Sequence, residues 1–206
     1  MSLIPKEETV GVLAEVIAAR RSARSFSTDV PGRTDVERII AAGMAAPYAA
    51  AMSADGALDR RFFVLTVGSA AIGVAAEAIK AHARQALAAS ETPAPLQARL
   101  RPMAEGRILG VGTAPYYIVV AERAGQVALQ SLAHVLENMW LMATALGLGM
   151  HLVSVTTMMS DDSAFCGLLG LPVGEYALNG CAIGVAAQQP EARPAPDATG
   201  VTGWLA

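Results

Sequence analysis

Residues 18–27, "AARRSARSFS", place three arginines and three serines in ten positions of a chain in which charged residues make up only 16%. Guanidinium forks and hydroxyls this close together can do two kinds of chemistry. They can finish a helix, where each cation in the last turn is worth ~0.3–1 kcal/mol against the helix dipole. They can also cradle a phosphate, because two forks and a hydroxyl match its oxygens and a second acceptor nearby. Helix finishing accounts for Arg20 and Arg21 and leaves Arg24 and the interleaved serines unexplained. If the chain extends after Arg21, side chains alternate, and Arg20, Ser22 and Arg24 share one face. Spacing alone does not choose between the two readings.

Other chemistries have less support. Cys166 and Cys181 are the only cysteines and form no C-x-x-C pair. Buried free thiols in a reducing, cytoplasmic setting are therefore expected. His82, His134 and His151 are far apart, without the H-x-x-x-H spacing of a metal site. Neither "GMAAP" nor "GVGTAP" forms the G-x-G-x-x-G turn of a dinucleotide fold. A net charge of −3 does not suit a nucleic-acid binder, whose affinity rests on a broad basic surface.

The chain is 53% hydrophobic with a mean hydropathy of +0.41, so a membrane span has to be tested. Its longest uncharged stretch, Asn138 to Ser160, holds two glycines, five Ser/Thr, an Asn and a His, with no flanking basic cluster. Its period also changes midway, so a buried helix feeding a buried strand is expected instead. The start, "MSLIPKEETVGV", has acids where an export signal needs a basic opening, and none is expected.

The elements that must position the arginines follow from periodicity. Val10, Leu13, Ala14 and Ile17 recur at helical spacing over about 8–20. A second helix is expected from Thr34, where "TDVE" reads as a capping box, to Pro47. Residues 48–60 read as a loop, "RFFVLTV" (61–67) as a strand, and about 69–89 and 96–107 as helices. "PYYIVVA" (115–121) is a strand. The apolar helix over about 126–147 presents Leu132, Val135, Leu136, Met139, Met142 and Ala143, with Trp140 and Leu146 widening the face, and stops at Gly147. "HLVSV" (151–155) reads as a strand, 161–169 as a short helix and 178–186 as a strand. This interleaving predicts one α+β or mixed α/β domain over 1–187. The Pro-rich 188–206 forms an arm.

"VIAARRSARSFSTDVPGRTDVERIIAAGMAAP" resembles the opening of the nitroreductase family: helix, R-R-S-x-R-x-F, linker, helix, Ala-Pro. "LENMWLMATALGLGMHLVSV" resembles its core helix, Gly-Leu-Gly and strand, and "GLLGLPVGEYALNGCAIGVAAQQP" its closing segment. The resemblance implies an α+β fold with a small central, mostly antiparallel sheet flanked by helices, assembled as an intertwined homodimer. It also implies FMN at the subunit interface, with NADH or NADPH as the transient donor. Arg20 and Ser22 would then bind the phosphate and ribityl chain, with Arg21 adding a contact. Arg24 would face the N1/O2 edge of the flavin, where a fixed cation stabilises the charge of the reduced ring. Backbone at Ser154 and Val155 would lie near N5. Arg193 of "EARP" matches an arginine that closes on the phosphate, unless it is a solvated arm residue.

The resemblance breaks in "APYAAAMSADGALDRRFF", where the family writes Ala-Pro-Ser, an Asn and Gln-Pro-Trp. Tyr48 replaces the Ser and an alanine near Ala51 replaces the Asn. One lost hydrogen bond, ~0.5–1.5 kcal/mol, does not abolish binding that rests on several phosphate contacts. Tyr48 either compensates near the site or serves as a core or interface aromatic. The leading expectation is an FMN oxidoreductase reducing nitroaromatics, quinones or similar acceptors. Three alternatives remain: flavin-dependent oxidation or rearrangement of a dedicated substrate, a flavin-storing dimer, and a cofactor-free dimer whose arginines pair with acids such as Glu15.

Overall fold

A computed structural model describes residues 7–48, 59–89 and 91–188. Tyr48 lies at the edge of this range, whereas Ala51 and the rest of 49–58, with the arm from 189 that carries Arg193, lie outside it.

In chain order the elements are α1 (Glu7–Ala19), α2 (Arg33–Met44), β1 (Arg60–Thr66), α3 (Ala70–Ala88), α4 (Ala94–Ala104), β2 (Tyr116–Arg123), α5 (Ala128–Ala145), β3 (Gly149–Leu152), α6 (Ser163–Leu169) and β4 (Tyr176–Gly184). The strands form one sheet of order β1-β2-β4-β3, antiparallel throughout. This is the expected α+β architecture. No described helix is long and apolar enough to cross a membrane, and Cys166 and Cys181 are free and buried.

The central strands β2 and β4 are buried on both faces, and β2 reads as an apolar run whose side chains alternate between them. Tyr117, Val119 and Ala121 pack with Ile72, Ile79 and Phe165 of α3 and α6. Ile118 and Val120 pack with Ile39 of α2 and Leu132, Val135 and Met139 of α5. The α5 face is the one its period predicts, with Met142 and Leu146 at its partly buried margin. Gly147 takes φ 72°, the left-handed turn expected there.

Two local expectations fail for a physical reason. No capping box forms at Thr34: α2 starts one residue earlier, after Gly32, without a side-chain cap. Glu37, which would have closed the box, pairs instead with Arg33 at 2.7 Å. The expected strand over 151–155 ends at Leu152, and Ser154–Met158 coil into a 3-10 turn. Val153 N–H still donates to the Gly180 carbonyl (2.8 Å), but its own carbonyl accepts from Thr156 N–H (3.0 Å) and closes the turn.

Candidate functional site

The arginine segment begins where α1 stops. Arg21 folds back so that Nη1 donates to the carbonyls of Ala18 (2.9 Å) and Arg20 (2.7 Å), which serves the helix end as the simpler reading foresaw. Arg20 does something else. Its guanidinium lies 4.5 Å from the centroid of the Trp140 ring, and its Nε is 3.3 Å from Glu137 Oε1. The acid partner is thus on α5 and is not Glu15. Trp140 Nε1–H also donates to the Arg21 carbonyl (3.2 Å), so one aromatic holds the charge of Arg20 and the backbone of Arg21.

Beyond Arg21 the chain runs along the sheet. Ser22 bridges Met150 in parallel and Ala23 N–H donates to the Met150 carbonyl at 3.0 Å. Ser27 N–H then donates to Val185 (2.8 Å), and Ala187 N–H returns to Ser25 (3.0 Å). Such close approach needs a residue without a side chain at Gly149, where a Cβ would stand 2.7 Å from Ala23 Cβ and 3.1 Å from Ala186 Cβ. Ala19, Arg21, Ala23, Thr144, Gly147 and Gly149 line a cleft of about 140 Å³ here.

Arg24 is exposed. Its charge reaches His151 of β3, whose pKa is lowered first by burial and then by Arg24, so the imidazole is neutral at pH 7. His151 Nδ1 is buried with no hydrogen-bond partner among the described residues. Ser154 is exposed in the turn that follows β3, and Val155 turns its side chain into the core (4% exposed). The structure therefore strings Arg20, Arg21 and Ser22 between α5 and β3, sets Arg24 near His151, and carries Ser154 and Val155 on the 3-10 turn that follows β3.

Tyr48 is half-buried and belongs to neither core cluster. Its hydroxyl accepts from Asp59 N–H (3.2 Å) and its ring lies 5.1 Å from the Arg60 guanidinium, so it closes the base of a loop. Sequence reasoning missed Glu137 and Trp140 as partners of Arg20. Their i,i+3 spacing on α5 was the available signal. His151 carried no signal beyond its position after Gly-Leu-Gly.

Chemically, the segment offers guanidinium and hydroxyl donors on a backbone tied down at both ends, beside a glycine-lined cleft. That donor set fits a phosphate monoester.

The sequence matches the Nitroreductase family over residues 17–186. No curated protein matches it. Among solved structures, a nitroreductase with bound FMN from Bacteroides fragilis superposes with a TM-score of 0.71 at 23% identity, covering 94% of this chain and 98% of that one. A nitroreductase with bound FMN from Desulfitobacterium hafniense superposes with a TM-score of 0.67 at 24% identity, over 94% and 98%. An FMN- and NADPH-dependent nitroreductase from a Sphingopyxis strain gives 0.63 at 21% identity, over 93% and 98%.

Proposed function

Because this chain belongs to the nitroreductase family, we propose that it is an FMN-dependent oxidoreductase that takes hydride from NADH or NADPH and passes it to a nitroaromatic, quinone or other conjugated acceptor. Donor and acceptor use the same place in turn, in a ping-pong sequence. FMN, when bound, supplies the hydride chemistry, which is why no acid–base triad is needed. The protein binds, orients and screens.

The observation that carries this reading is the Arg20–Arg24 segment. It is pinned to α5 through Trp140 and to β3 through Met150, it holds the half-buried Ser22 between them, and it leaves the Arg24 guanidinium exposed. Arg20 and Ser22 take the phosphate and ribityl chain, with Arg21 holding the backbone. Arg24 takes the N1/O2 edge and the backbone of Ser154 and Val155 the N5 side. Arg193, outside the described residues, closes on the phosphate from the arm.

A homodimer is part of the proposal. Val10, Val12, Leu13 and Ile17 of α1 are 49–56% exposed, and α1 has no buried residue within one subunit. Against α2 and α5 it leaves a groove of about 450 Å³ lined by residues such as Val12, Leu13, Leu141 and Met142. A second copy covers this face. The two buried thiols fit a cytoplasmic, reducing setting.

The test is the visible absorption spectrum of the purified protein before and after excess FMN and desalting. A retained flavin band that bleaches anaerobically with NADH or NADPH is the expected result. A band that stays coloured favours a dedicated reductant or a storage dimer. No retained band overturns the proposal. Replacing Arg20 and Ser22 together by alanine should weaken FMN binding at least about tenfold, since each charged hydrogen bond carries more than a neutral one.

A further inference from the structure

The turn after β3 is held by a buried relay that the family resemblance does not mention. Tyr117 Oη and Thr156 Oγ1 lie 2.6 Å apart, and Thr156 Oγ1 donates to the Val153 carbonyl at 2.6 Å. With the threonine proton committed to Val153, the Tyr117 hydroxyl is the donor to Thr156. Both residues are fully buried. Burial raises the Tyr117 pKa far above its ordinary value, so the phenol remains a proton donor throughout the working range. Gly180 makes room for the pair: a Cβ there would stand 2.7 Å from Thr156 Oγ1 and 3.0 Å from the Tyr117 ring. The Gly180 carbonyl in turn accepts Val153 N–H.

Val153 is therefore fixed on both sides. In a trans peptide the carbonyl of one residue and the N–H of the next lie in one plane and point in opposite directions. Drawing the Val153 carbonyl towards the core therefore aims the Ser154 N–H away from it. Serial hydrogen bonds also polarise one another, so a carbonyl that accepts strongly leaves its own amide a better donor. From this relay we infer that Tyr117 and Thr156 are positioning residues, which aim and strengthen the Ser154 N–H as a donor to the ring edge of the bound cofactor. The inference rests on the FMN reading above, which places Ser154 beside N5.

The experiment compares Tyr117→Phe, Thr156→Val and Thr156→Ser with the unaltered protein. Tyr117→Phe keeps the ring and removes only the donor. In the apoprotein it should move the amide nitrogen resonance of Ser154 and the carbonyl resonance of Val153, and Thr156→Ser should leave both near their original places. With FMN, Tyr117→Phe should bind as tightly as the unaltered protein. It should also shift the flavin absorption band and lower kcat for hydride acceptance about three- to tenfold at unchanged donor KM. Thr156→Val should do at least as much, and Thr156→Ser should restore the band and the rate. An unmoved Ser154 resonance in Tyr117→Phe overturns the relay, and a moved resonance with an unchanged flavin band overturns its role at the cofactor. Failure of the unaltered protein to bind FMN overturns the proposed function instead and takes the functional half of the inference with it.

Discussion

Arg60 shows what a single cation can organise. Its Nη1 donates to the carbonyls of Gly43 (3.2 Å) and Ala46 (3.0 Å), Nη2 to Pro47 (3.0 Å) and Ser131 Oγ (3.2 Å), and Nε to Glu122 (2.5 Å). The pair is almost wholly out of water, the side chains being 8% and 3% exposed. Removing one partner leaves the other charge uncompensated, so Glu122→Gln should cost about 3–5 kcal/mol in urea unfolding. A loss below about 1 kcal/mol would mean that water or another acid reaches Arg60. His151 makes a prediction about pH. Its folded pKa lies below its ordinary 6.5, so the unfolded chain binds more protons just below that value. Stability should fall as the solution is acidified through and below pH 6.5, and His151→Gln should flatten that slope, read from melting temperatures between pH 5 and 8. Neither residue announced its role in the sequence. Arg60 sits in "LDRRFF" beside an identical neighbour, and only the antiparallel register that places it opposite Glu122 distinguishes the two. The Arg20–Arg24 segment was legible because its composition is anomalous. Its partners were not, because they come from α5 and β3.

At the scale of elements, packing decided what periodicity had proposed. Gly43 lets α2 lie close on α5: a Cβ would stand 2.8 Å from Met139 Cγ and 3.1 Å from Val135 Cγ1. Gly43→Ala should destabilise by about 1–3 kcal/mol despite alanine's better helix propensity, and shortening Met139 to Ala in the same protein should not add its full separate cost. Non-additivity in a four-way unfolding comparison is the readout, and simple additivity would place the strain elsewhere. The long apolar period of α5 was readable because one face of an 18-residue helix leaves little ambiguity. The break after Leu152 was not. "HLVSV" alternates as a strand should, and only Thr156, from beyond the segment, turns the chain away by competing for the Val153 carbonyl. The capping box at Thr34 failed likewise through a competitor, since Arg33 takes the glutamate the cap requires.

For the whole molecule, the interleaving of helices and strands was enough to give an α+β or mixed α/β domain, but not the strand order, which depends on pairings between distant segments. The apolar stripe of α1 was also visible, though not that it finds no cover within one subunit. If a second copy supplies that cover, Leu13→Asp with Ile17→Asp should convert the dimer to monomers by sedimentation, and the melting temperature of the unaltered protein should rise with its concentration. A monomer at micromolar concentration in the unaltered protein would remove the dimer from the proposal.

Strand order has one more effect, on the timing of assembly. The central strands β2 and β4 come from opposite sides of α5, β3 and α6, and the arginine segment finds its last backbone partners at Val185 and Ala187. On the ribosome, β2 must therefore wait with "YYIVV" unpaired along the edge that β4 will cover, while α5, β3 and α6 are made. The arginine segment is among the last parts to close, although it lies near the beginning of the sequence. A nascent chain stalled before Val185 should hold folded helices and bind no cofactor, so that cofactor capture marks the moment at which synthesis has passed the end of the sheet.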